Sequence, residues 1–265
     1  MKVIQKLLKG IFKAESKEVL AAQSMSSEVK STEIQGQNSV AAMDEALERA
    51  AKLGLNINTV IDIGASDGGW SEIVLKHFPT ARYFLIEAQK GHKKGLRKRS
   101  KEKDFEYIIS AAGDYEGQVY FDATDLWAGQ ASKKKLDIKN CIRVPVTTVD
   151  IQVKKKQLKG PFLIKTDTHG FEIPILNGAK KSLKNTELLI IEAYNFKIGD
   201  CCLRFHEMIS FLEEKGFRCI DIVDINRRPI DNILFQMEMF FIKKNRKEFN
   251  YRCYDDFWMK KNEQE

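Results

Sequence analysis

The chain has 265 residues, of which 43% are hydrophobic and 31% charged, and its formal net charge is +7. This composition is typical of a soluble globular protein, and the length suits one sizeable α/β domain with extensions. No apolar run approaches the roughly 18 residues needed to cross a bilayer. Because lysines interrupt the first apolar residues and no cleavage site follows, we expect no signal peptide and a cytoplasmic location.

The cysteines show no paired C-x-x-C spacing and no histidines at zinc-ligand intervals. An odd number of cysteines without a framework predicts reduced thiols in a reducing compartment. We therefore predict no metal site in them. The five residues are Cys141, Cys201, Cys202, Cys219 and Cys253.

Positive charge is concentrated in three segments. Two are short, Lys133–Lys135 and Lys154–Lys156, and the densest consists of Lys90, Lys93, Lys94, Arg97, Lys98, Arg99, Lys101 and Lys103. Such patches attract nucleic acid, anionic glycans or phosphorylated substrates. The alternative is a solvated helix face, which we favour because no aromatic stacking residues interrupt the densest run.

The first 38 residues differ in composition from the rest. Residues 3–12 place apolar side chains on one helical face and lysines on another, which predicts a basic amphipathic helix. Such a helix can contact an anionic membrane or a partner, but packing on its own domain fits equally well. The Ser-, Gln- and Glu-rich stretch 22–38 predicts a linker. We therefore divide the chain into 1–38, a folded domain 39–244 and a C-terminal extension 245–265.

The folded domain alternates short apolar runs with helical stretches, which predicts βαβ units and a parallel sheet. A first helix begins at its N-cap Ser39 and ends at Leu53 before Gly54. Further helices are predicted at 69–78, 90–101, 173–183 and 203–215, and strands at 59–63, 82–87, 105–111, 161–166, 188–193, 217–223 and 237–242. A short connection makes the last strand antiparallel. The long segment 113–150 is expected to add strands and a lid over the site.

A glycine-rich turn follows the apolar strand Val60–Ile63. Glycines at Gly64 and Gly68 allow the backbone to approach a ligand closely. Their spacing differs from the G-x-G-x-x-G pattern of dinucleotide sites, and two aspartates would repel a pyrophosphate. Negative charge suits a ligand with an ammonium and a sulfonium, which indicates S-adenosylmethionine; an ordinary tight turn is the alternative. The predicted cofactor-binding residues here are Asp62, Gly64, Ala65, Ser66, Asp67 and Gly68.

Acidic side chains at the next two strand ends are candidates for the rest of the cofactor. Glu87 closes the second strand, where a carboxylate accepts hydrogen bonds from ribose hydroxyls in related folds. Asp114, after the third strand, is a candidate for the adenine amine, and backbone contacts of Ser110–Ala112, with Ala111 at their centre, are equally compatible. A solvated strand end is the alternative for Glu87.

The second segment with chemistry runs from Pro161 to Glu172. Lys165 and Asp167 leave the end of a buried strand, at the edge where ligands bind in open α/β sheets. A charged pair there is often structural, but His169, Glu172 and the Gly170 backbone converge on the same place. We therefore predict a site at this strand end.

Together these segments resemble the FkbM family of class I S-adenosylmethionine-dependent methyltransferases. The motifs are D-x-G-A-x-x-G from Asp62 to Gly68, P-V-T-T-x-D from Pro145 to Asp150, K-x-D-x-x-G-x-E from Lys165 to Glu172, and L-x-G-A from Leu176 to Ala179. The resemblance covers about residues 40–243. It implies a Rossmann-like α/β fold, with a seven-stranded, mostly parallel sheet, one antiparallel strand and helices on both faces. It also implies methyl transfer to hydroxyls, often on sugars or natural products. The sequence departs from the family motif at His169, where the resemblance leads us to expect glutamine or glutamate.

Methyl transfer to an alcohol requires positioning and a base that takes the hydroxyl proton. We expect Asp167 or His169 to be that base, with Lys165 and Glu172 holding the pair or binding the acceptor. Tyr194 and Asn195, which follow the fifth strand, are expected to shape the acceptor pocket. No metal ligands are assigned, because two carboxylates alone are weak evidence.

Two other functions remain open. The basic clusters allow an RNA ribose 2′-O-methyltransferase, which would bind RNA with a steep salt dependence. Methyltransferases that act on the amines of nucleic acids generally need an N-P-P-Y-like turn after the fourth strand. The corresponding segment here, Thr166–Gly170, reads T-D-T-H-G and does not match that turn. A methyltransferase-like fold that only binds a partner is disfavoured by the intact glycine and acidic positions. The expected partner is a small-molecule or glycan acceptor, with nucleic acid less favoured.

Overall fold

The computed structural model describes residues 40–250. The predicted amphipathic helix 3–12, the linker 22–38, the cap Ser39 and most of the C-terminal extension, including Cys253, lie outside these residues. Of the described residues, 46–250 form one compact unit and 40–45 belong to another. Helix α1 comprises residues 40–52. Within residues 40–250, no helix combines the length and the apolar character that crossing a membrane requires.

Eleven strands and six further helices follow α1 in the described part of the chain. The strands are β1 (Thr59–Ile63), β2 (Arg82–Glu87), β3 (Glu106–Ile109), β4 (Ala111–Ala112), β5 (Gly117–Asp122), β6 (Gln130–Ser132), β7 (Cys141–Thr147), β8 (Phe162–Thr166), β9 (Thr186–Tyr194), β10 (Phe217–Arg227) and β11 (Leu234–Lys243). The helices are α2 (Gly69–His77), α3 (Lys93–Lys103), α4 (Val149–Lys155), α5 (Glu172–Gly178), α6 (Lys180–Lys184) and α7 (Phe205–Glu214). Two short 3-10 helices occupy Lys90–His92 and Lys247–Phe249.

The main sheet has seven strands in the order β10-β11-β9-β8-β1-β2-β3. Its pairs from β9 to β3 are parallel, whereas β11 runs antiparallel to both β9 and β10. The predicted Rossmann-like fold with one reversed strand is therefore confirmed. β1 and β8 are buried along their whole length, as expected for central parallel strands that are covered on both faces. Because β1, β2 and β8 end at the same edge, their following loops meet there.

The predicted strand 105–111 is wrong in its extent, because the chain divides at Ser110. The Ser110 amide still donates to the Glu87 carbonyl oxygen at 2.8 Å, but its hydroxyl donates to the Pro145 carbonyl oxygen at 3.1 Å. The next two residues, β4, pair with β7 instead of β2. Ser110 thus marks the point at which the chain leaves the main sheet.

A second sheet of four strands, in the order β4-β7-β5-β6, is formed by the long segment after β3. β5 pairs antiparallel with both β6 and β7. The expectation of additional strands in 113–150 is confirmed, and α4 begins within that range. A loop of residues 123–129 joins β5 to β6; it is called the β5–β6 loop below.

The single helix predicted at 173–183 consists of two helices, α5 and α6. The last residue of α5, Gly178, passes so close to the Gly113 carbonyl oxygen that a Cβ would lie 1.9 Å from it. α6 then begins with its own cap, because the Asp150 carboxylate accepts from the amides of Lys181 at 2.9 Å and Ser182 at 2.8 Å. A carboxylate at this position satisfies amide groups that have no partner within the helix.

Candidate active site

A cavity of about 340 Å³ opens at the carboxyl ends of β1, β2 and β8. Its position is that of ligand sites in open α/β sheets. Most of the residues predicted to form a site line it. These are Gly64, Ala65, Ser66, Asp67, Glu87, Ala111, Lys165, Asp167 and His169.

The glycine turn forms one wall of the cavity because its backbone packs directly on the loop after β8. Gly64 has φ +78°, and a Cβ at this position would lie 1.8 Å from the Asp167 carbonyl oxygen. The amides of Gly64 and Ala65 donate to the Ile86 carbonyl oxygen at 2.9 and 3.2 Å. The Asp167 amide donates to the Ile63 carbonyl oxygen at 3.0 Å. Only glycine combines this conformation with this approach.

Glu87 is buried and held by two backbone amides. Its carboxylate accepts from the Ser66 amide at 2.8 Å and from the Gln89 amide at 2.6 Å. Burial raises the pKa of Glu87, and these two hydrogen bonds offset part of that effect. The carboxylate therefore has a fixed orientation on the cavity wall before any ligand binds.

The two aspartates of the turn have different surroundings. Asp62 is fully buried and does not line the cavity; its Oδ2 accepts from Ser71 at 2.7 Å, while its Oδ1 has no hydrogen-bond partner among residues 40–250. Burial raises the pKa of Asp62 to about 6. Asp67 lines the cavity and pairs with the Arg99 guanidinium at 3.0 Å. Arg99 also donates to the Asp67 carbonyl oxygen at 2.7 Å, so this side chain of the basic segment holds the glycine turn.

Lys165 is a buried cation beneath the cavity. Its ammonium lies 2.6 Å from Asp167 and 3.9 Å from Glu238, and it faces the Trp70 ring at 5.2 Å. Burial alone would lower the pKa of Lys165, but the carboxylates of Asp167, Glu238 and Asp62 outweigh it and raise the pKa. The ion pair with Lys165 in turn holds the pKa of Asp167 below its usual value despite burial. Lys165 is therefore charged, and Asp167 is ionised.

His169 faces the same cavity from a strained backbone, with φ +53°. Its Nδ1 lies 3.0 Å from the Gly129 carbonyl oxygen. Since a carbonyl only accepts, Nδ1 carries the hydrogen, and in the neutral ring Nε2 then has a free electron pair. Nε2 lies 3.7 Å from Asp167 Oδ1 and 3.8 Å from Glu192 Oε2. This arrangement combines a proton acceptor with nearby negative charge.

The sequence interpretation did not select Glu192, which lines the cavity although it lies within β9. It accepts hydrogen bonds from the Tyr194 hydroxyl and from Gln236 Nε2. Burial, Asp167 and Glu238 together raise the pKa of Glu192 well above its ordinary value. The signal in the sequence was a carboxylate in the otherwise apolar strand Leu188–Ala193, since such a group is rarely buried without a partner.

Asp167, His169 and Glu192 also form a cluster that could hold a metal ion. Within residues 40–250, one ligand atom from each lies within 4.8 Å of the others. A histidine nitrogen with carboxylate oxygens suits zinc or manganese. The Lys165 ammonium already neutralises part of this negative charge.

The remaining predicted residues lie outside the cavity wall. Gly68 precedes α2 with φ +88°, and Asp114 pairs with Lys133 at 2.6 Å. Glu172 accepts from the Thr168 hydroxyl and the Gly170 amide, both at 3.0 Å, and so supports the His169 loop from beneath. Tyr194 and Asn195 follow Glu192. The Tyr194 hydroxyl donates to the Glu192 carboxylate, and the Asn195 side chain donates through Nδ2 to the Leu234 carbonyl oxygen at 3.2 Å.

Other cavity residues escaped the sequence interpretation because they come from separate parts of the chain. Gln89 and His92 follow β2, while Phe121, Leu126, Trp127 and Gly129 come from β5 and the β5–β6 loop. Their residue types are common in loops and strands. Gln89 and His92 are at this edge because β2 ends there, and the other four are brought there by the pairing of the second sheet.

Comparison with known proteins identifies a family. The family model described as the methyltransferase FkbM domain matches residues 62–219, which is more than half of the chain and includes the glycine turn, Glu87 and the Lys165 block. No curated protein matches the sequence.

Solved structures with a similar fold include several methyltransferases. A methyltransferase FkbM from Methylobacillus flagellatus KT has 16% identity and a TM-score of 0.42, covering 69% of this chain and 43% of that one. This chain therefore spans less than half of that relative's length. Magnesium protoporphyrin IX methyltransferase from Synechocystis PCC 6803 has 10% identity and a TM-score of 0.47, with 81% and 83% covered. The 1,6-didemethyltoxoflavin-N1-methyltransferase of Burkholderia thailandensis has 13% identity and a TM-score of 0.43, with 87% and 90% covered.

Proposed function

Because this chain belongs to the methyltransferase FkbM domain family, we propose that it methylates a hydroxyl group of a sugar, glycan or natural product. Membership of the family supports methyl transfer, and we propose S-adenosylmethionine as the methyl donor. The hydroxyl as methyl acceptor is the proposal. The observation that supports it is His169, which lines the cavity and whose Nε2 has a free electron pair in the neutral ring.

The cavity residues fit S-adenosylmethionine. The turn residues Gly64, Ser66 and Asp67 line the cavity, and the buried Asp62 Oδ1 has no partner among the described residues. The backbone from Gly64 to Asp67 would hold the methionine part, and Glu87, held by the Ser66 and Gln89 amides, would accept from the ribose hydroxyls. When bound, the cofactor supplies a methyl group on a positively charged sulfur. Buried carboxylates near such a cation are electrostatically favourable.

His169 is the better of the two candidate bases. Asp167 is paired with Lys165 at 2.6 Å, and its lowered pKa makes it a weak proton acceptor. Histidine is the side chain that most readily exchanges protons near neutral pH. The hydroxyl proton moves to Nε2 of His169, and the oxygen is free to attack as that proton leaves. The ring then carries a positive charge next to the ionised Asp167 at 3.7 Å.

Asp167, Lys165 and Glu172 position this base without exchanging the proton themselves. Lys165 keeps Asp167 ionised, so that the carboxylate stabilises the imidazolium as it forms. Glu172 fixes the loop through Thr168 and the Gly170 amide. The Gly129 carbonyl oxygen determines which ring nitrogen of His169 carries the hydrogen. A base aligned in this way before the substrate arrives is the arrangement that acyl-transfer triads also use.

The test is His169→Gln, measured against His206→Gln as a matched control on the exposed surface of α7. Methyl transfer from labelled S-adenosylmethionine is screened on a panel of sugars, glycans and natural-product alcohols. We expect His169→Gln to lower kcat by about 100-fold or more on the acceptor found, because positioned bases contribute that much. The affinity for S-adenosylhomocysteine should not change, and His206→Gln should behave as wild type.

Three results would contradict the proposal. Unchanged turnover of His169→Gln would remove this residue from the mechanism. A folded wild type that does not bind S-adenosylhomocysteine would contradict the assigned cofactor site and favour a module that only binds a partner. Methyl transfer to amines alone would contradict the proposal that a hydroxyl accepts the methyl group.

A second candidate acceptor is RNA, at a ribose 2′-hydroxyl. It is favoured by α3, on which Lys93, Lys94, Arg97 and Lys98 are all exposed. The same base chemistry would serve a ribose hydroxyl. RNA binding that weakens steeply between 50 and 200 mM salt would support this acceptor, because each released phosphate counterion adds to the slope. Salt-independent turnover on a neutral alcohol would exclude it.

A further inference from the structure

A large apolar side chain is exposed at the rim of the cavity. Trp127 is 65% exposed and Leu126 is 41% exposed, and both line the cavity from the β5–β6 loop. Burying an indole removes a large apolar area from water and is strongly favourable. An exposed tryptophan on a cavity wall therefore indicates a ligand that covers it.

The β5–β6 loop is already held in place beside the cavity. Gln89 Nε2 donates to the carbonyl oxygens of Asp125 at 2.9 Å and Leu126 at 2.8 Å. His92 Nε2 also lies 2.8 Å from the Leu126 carbonyl oxygen. Leu126 packs so closely on Gly91 that a Cβ there would lie 2.4 Å from its Cδ1. The Trp127 amide donates to the Asp125 side chain at 2.7 Å.

These contacts place Trp127 at the Glu87 end of the cavity. Gln89 and His92 lie two and five residues after Glu87, and the Gln89 amide donates to the Glu87 carboxylate. The His92 ring meets the Trp127 ring edge-on, with 4.8 Å between centroids, and its Nδ1 lies 3.4 Å from Ser66 Oγ. The same loop also contacts the base, because the Gly129 carbonyl oxygen lies 3.0 Å from His169 Nδ1. One loop therefore contacts both the Glu87 side of the cavity and His169.

We propose that Trp127 is a cofactor-binding residue whose indole packs on the adenosine part of S-adenosylmethionine. This inference rests on the proposed cofactor site, in which Glu87 binds the ribose. An adenine ring is flat and aromatic, and a tryptophan face is the side chain that covers it best. Gln89 and His92 are positioning residues that keep the β5–β6 loop, and therefore the indole, over this end of the cavity.

The experiment is calorimetric titration of S-adenosylhomocysteine into wild type, Trp127→Ala and Trp127→Phe. Ile230→Ala is the matched control, because Ile230 is 88% exposed and lies outside the cavity wall. We expect Trp127→Ala to weaken binding about tenfold or more, in line with base–aromatic stacking. Trp127→Phe should retain most of the affinity, and Ile230→Ala should match wild type.

Intrinsic fluorescence gives a second readout that does not depend on turnover. The chain has three tryptophans, Trp70, Trp127 and Trp258. Titration of S-adenosylhomocysteine should change the emission of wild type, and Trp127→Phe should lose most of that change. Equal affinity of Trp127→Ala and wild type for S-adenosylhomocysteine would overturn the inference. Trp127 would then be a candidate for binding the acceptor. Absence of binding by folded wild type would instead refute the proposed cofactor site itself.

Discussion

Gly64 provides the sharpest test of the cavity geometry, through Gly64→Ala. The new Cβ would lie 1.8 Å from the Asp167 carbonyl oxygen and 2.8 Å from its carbonyl carbon. A left-handed backbone at a non-glycine residue costs about 1 to 2 kcal/mol. Overpacking against an immovable neighbour adds about 1 to 3 kcal/mol. Because the neighbour is backbone and both effects apply, we expect a loss of about 2 to 5 kcal/mol in the free energy of unfolding.

The matched control is Gly216→Ala. Gly216 has a similar φ of +87°, but a Cβ there would meet nothing within 4 Å. Denaturant unfolding should show a loss of only about 1 to 2 kcal/mol for this control. Gly64→Ala should also weaken the binding of S-adenosylhomocysteine, because relief of the clash displaces Asp167. Equal losses of stability in the two variants, with unchanged binding in both, would refute the close packing of the glycine turn on the Asp167 loop.

Two further predictions concern the buried charges. Lys165→Met should destabilise the protein by about 3 to 5 kcal/mol at pH 7, because removal of one partner leaves a buried carboxylate uncompensated. Lys165→Met/Asp167→Asn should recover much of this loss in denaturant unfolding, and an equally large defect in the double variant would contradict the pairing. Asp62 has its pKa raised from 3.8 to about 6, so its contribution to stability is present below pH 3.8 and is lost as the pH rises through 6. Between pH 4 and 7 wild type should therefore lose about 2 kcal/mol relative to Asp62→Asn, and parallel pH profiles would show that Asp62 does not titrate in this way.

The parts of the fold that could be predicted are those with local causes. β1 and β2 have the predicted bounds because each is a short apolar run with a turn at its end. The reversed β11 followed from a connection too short for a parallel crossover. Gly64 and Glu87 could be placed because a glycine turn and a strand end are local features. In each case the feature and the residues that cause it lie within a few positions of each other in the sequence.

The parts that could not be predicted depend on contacts between distant segments. The division at Ser110 is determined by a hydrogen bond to Pro145, which is 35 residues away. The ring nitrogen of His169 that carries the hydrogen is determined by Gly129, 40 residues earlier. Glu192 becomes part of the site only because β9 pairs with β8. Spacing along the chain carries no information about these pairings.

The two sheets give the two walls of the cavity different origins. The main sheet supplies the glycine turn, Glu87 and Lys165, which are held by buried backbone pairing. The second sheet supplies Trp127 and the rest of the β5–β6 loop, which is a surface hairpin connection. Surface loops accept changes of length and sequence at little cost in stability. Changes in this hairpin therefore alter the shape of the cavity entrance and, through Gly129, the hydrogen bond of His169, while the strands that carry the charged groups remain as they are.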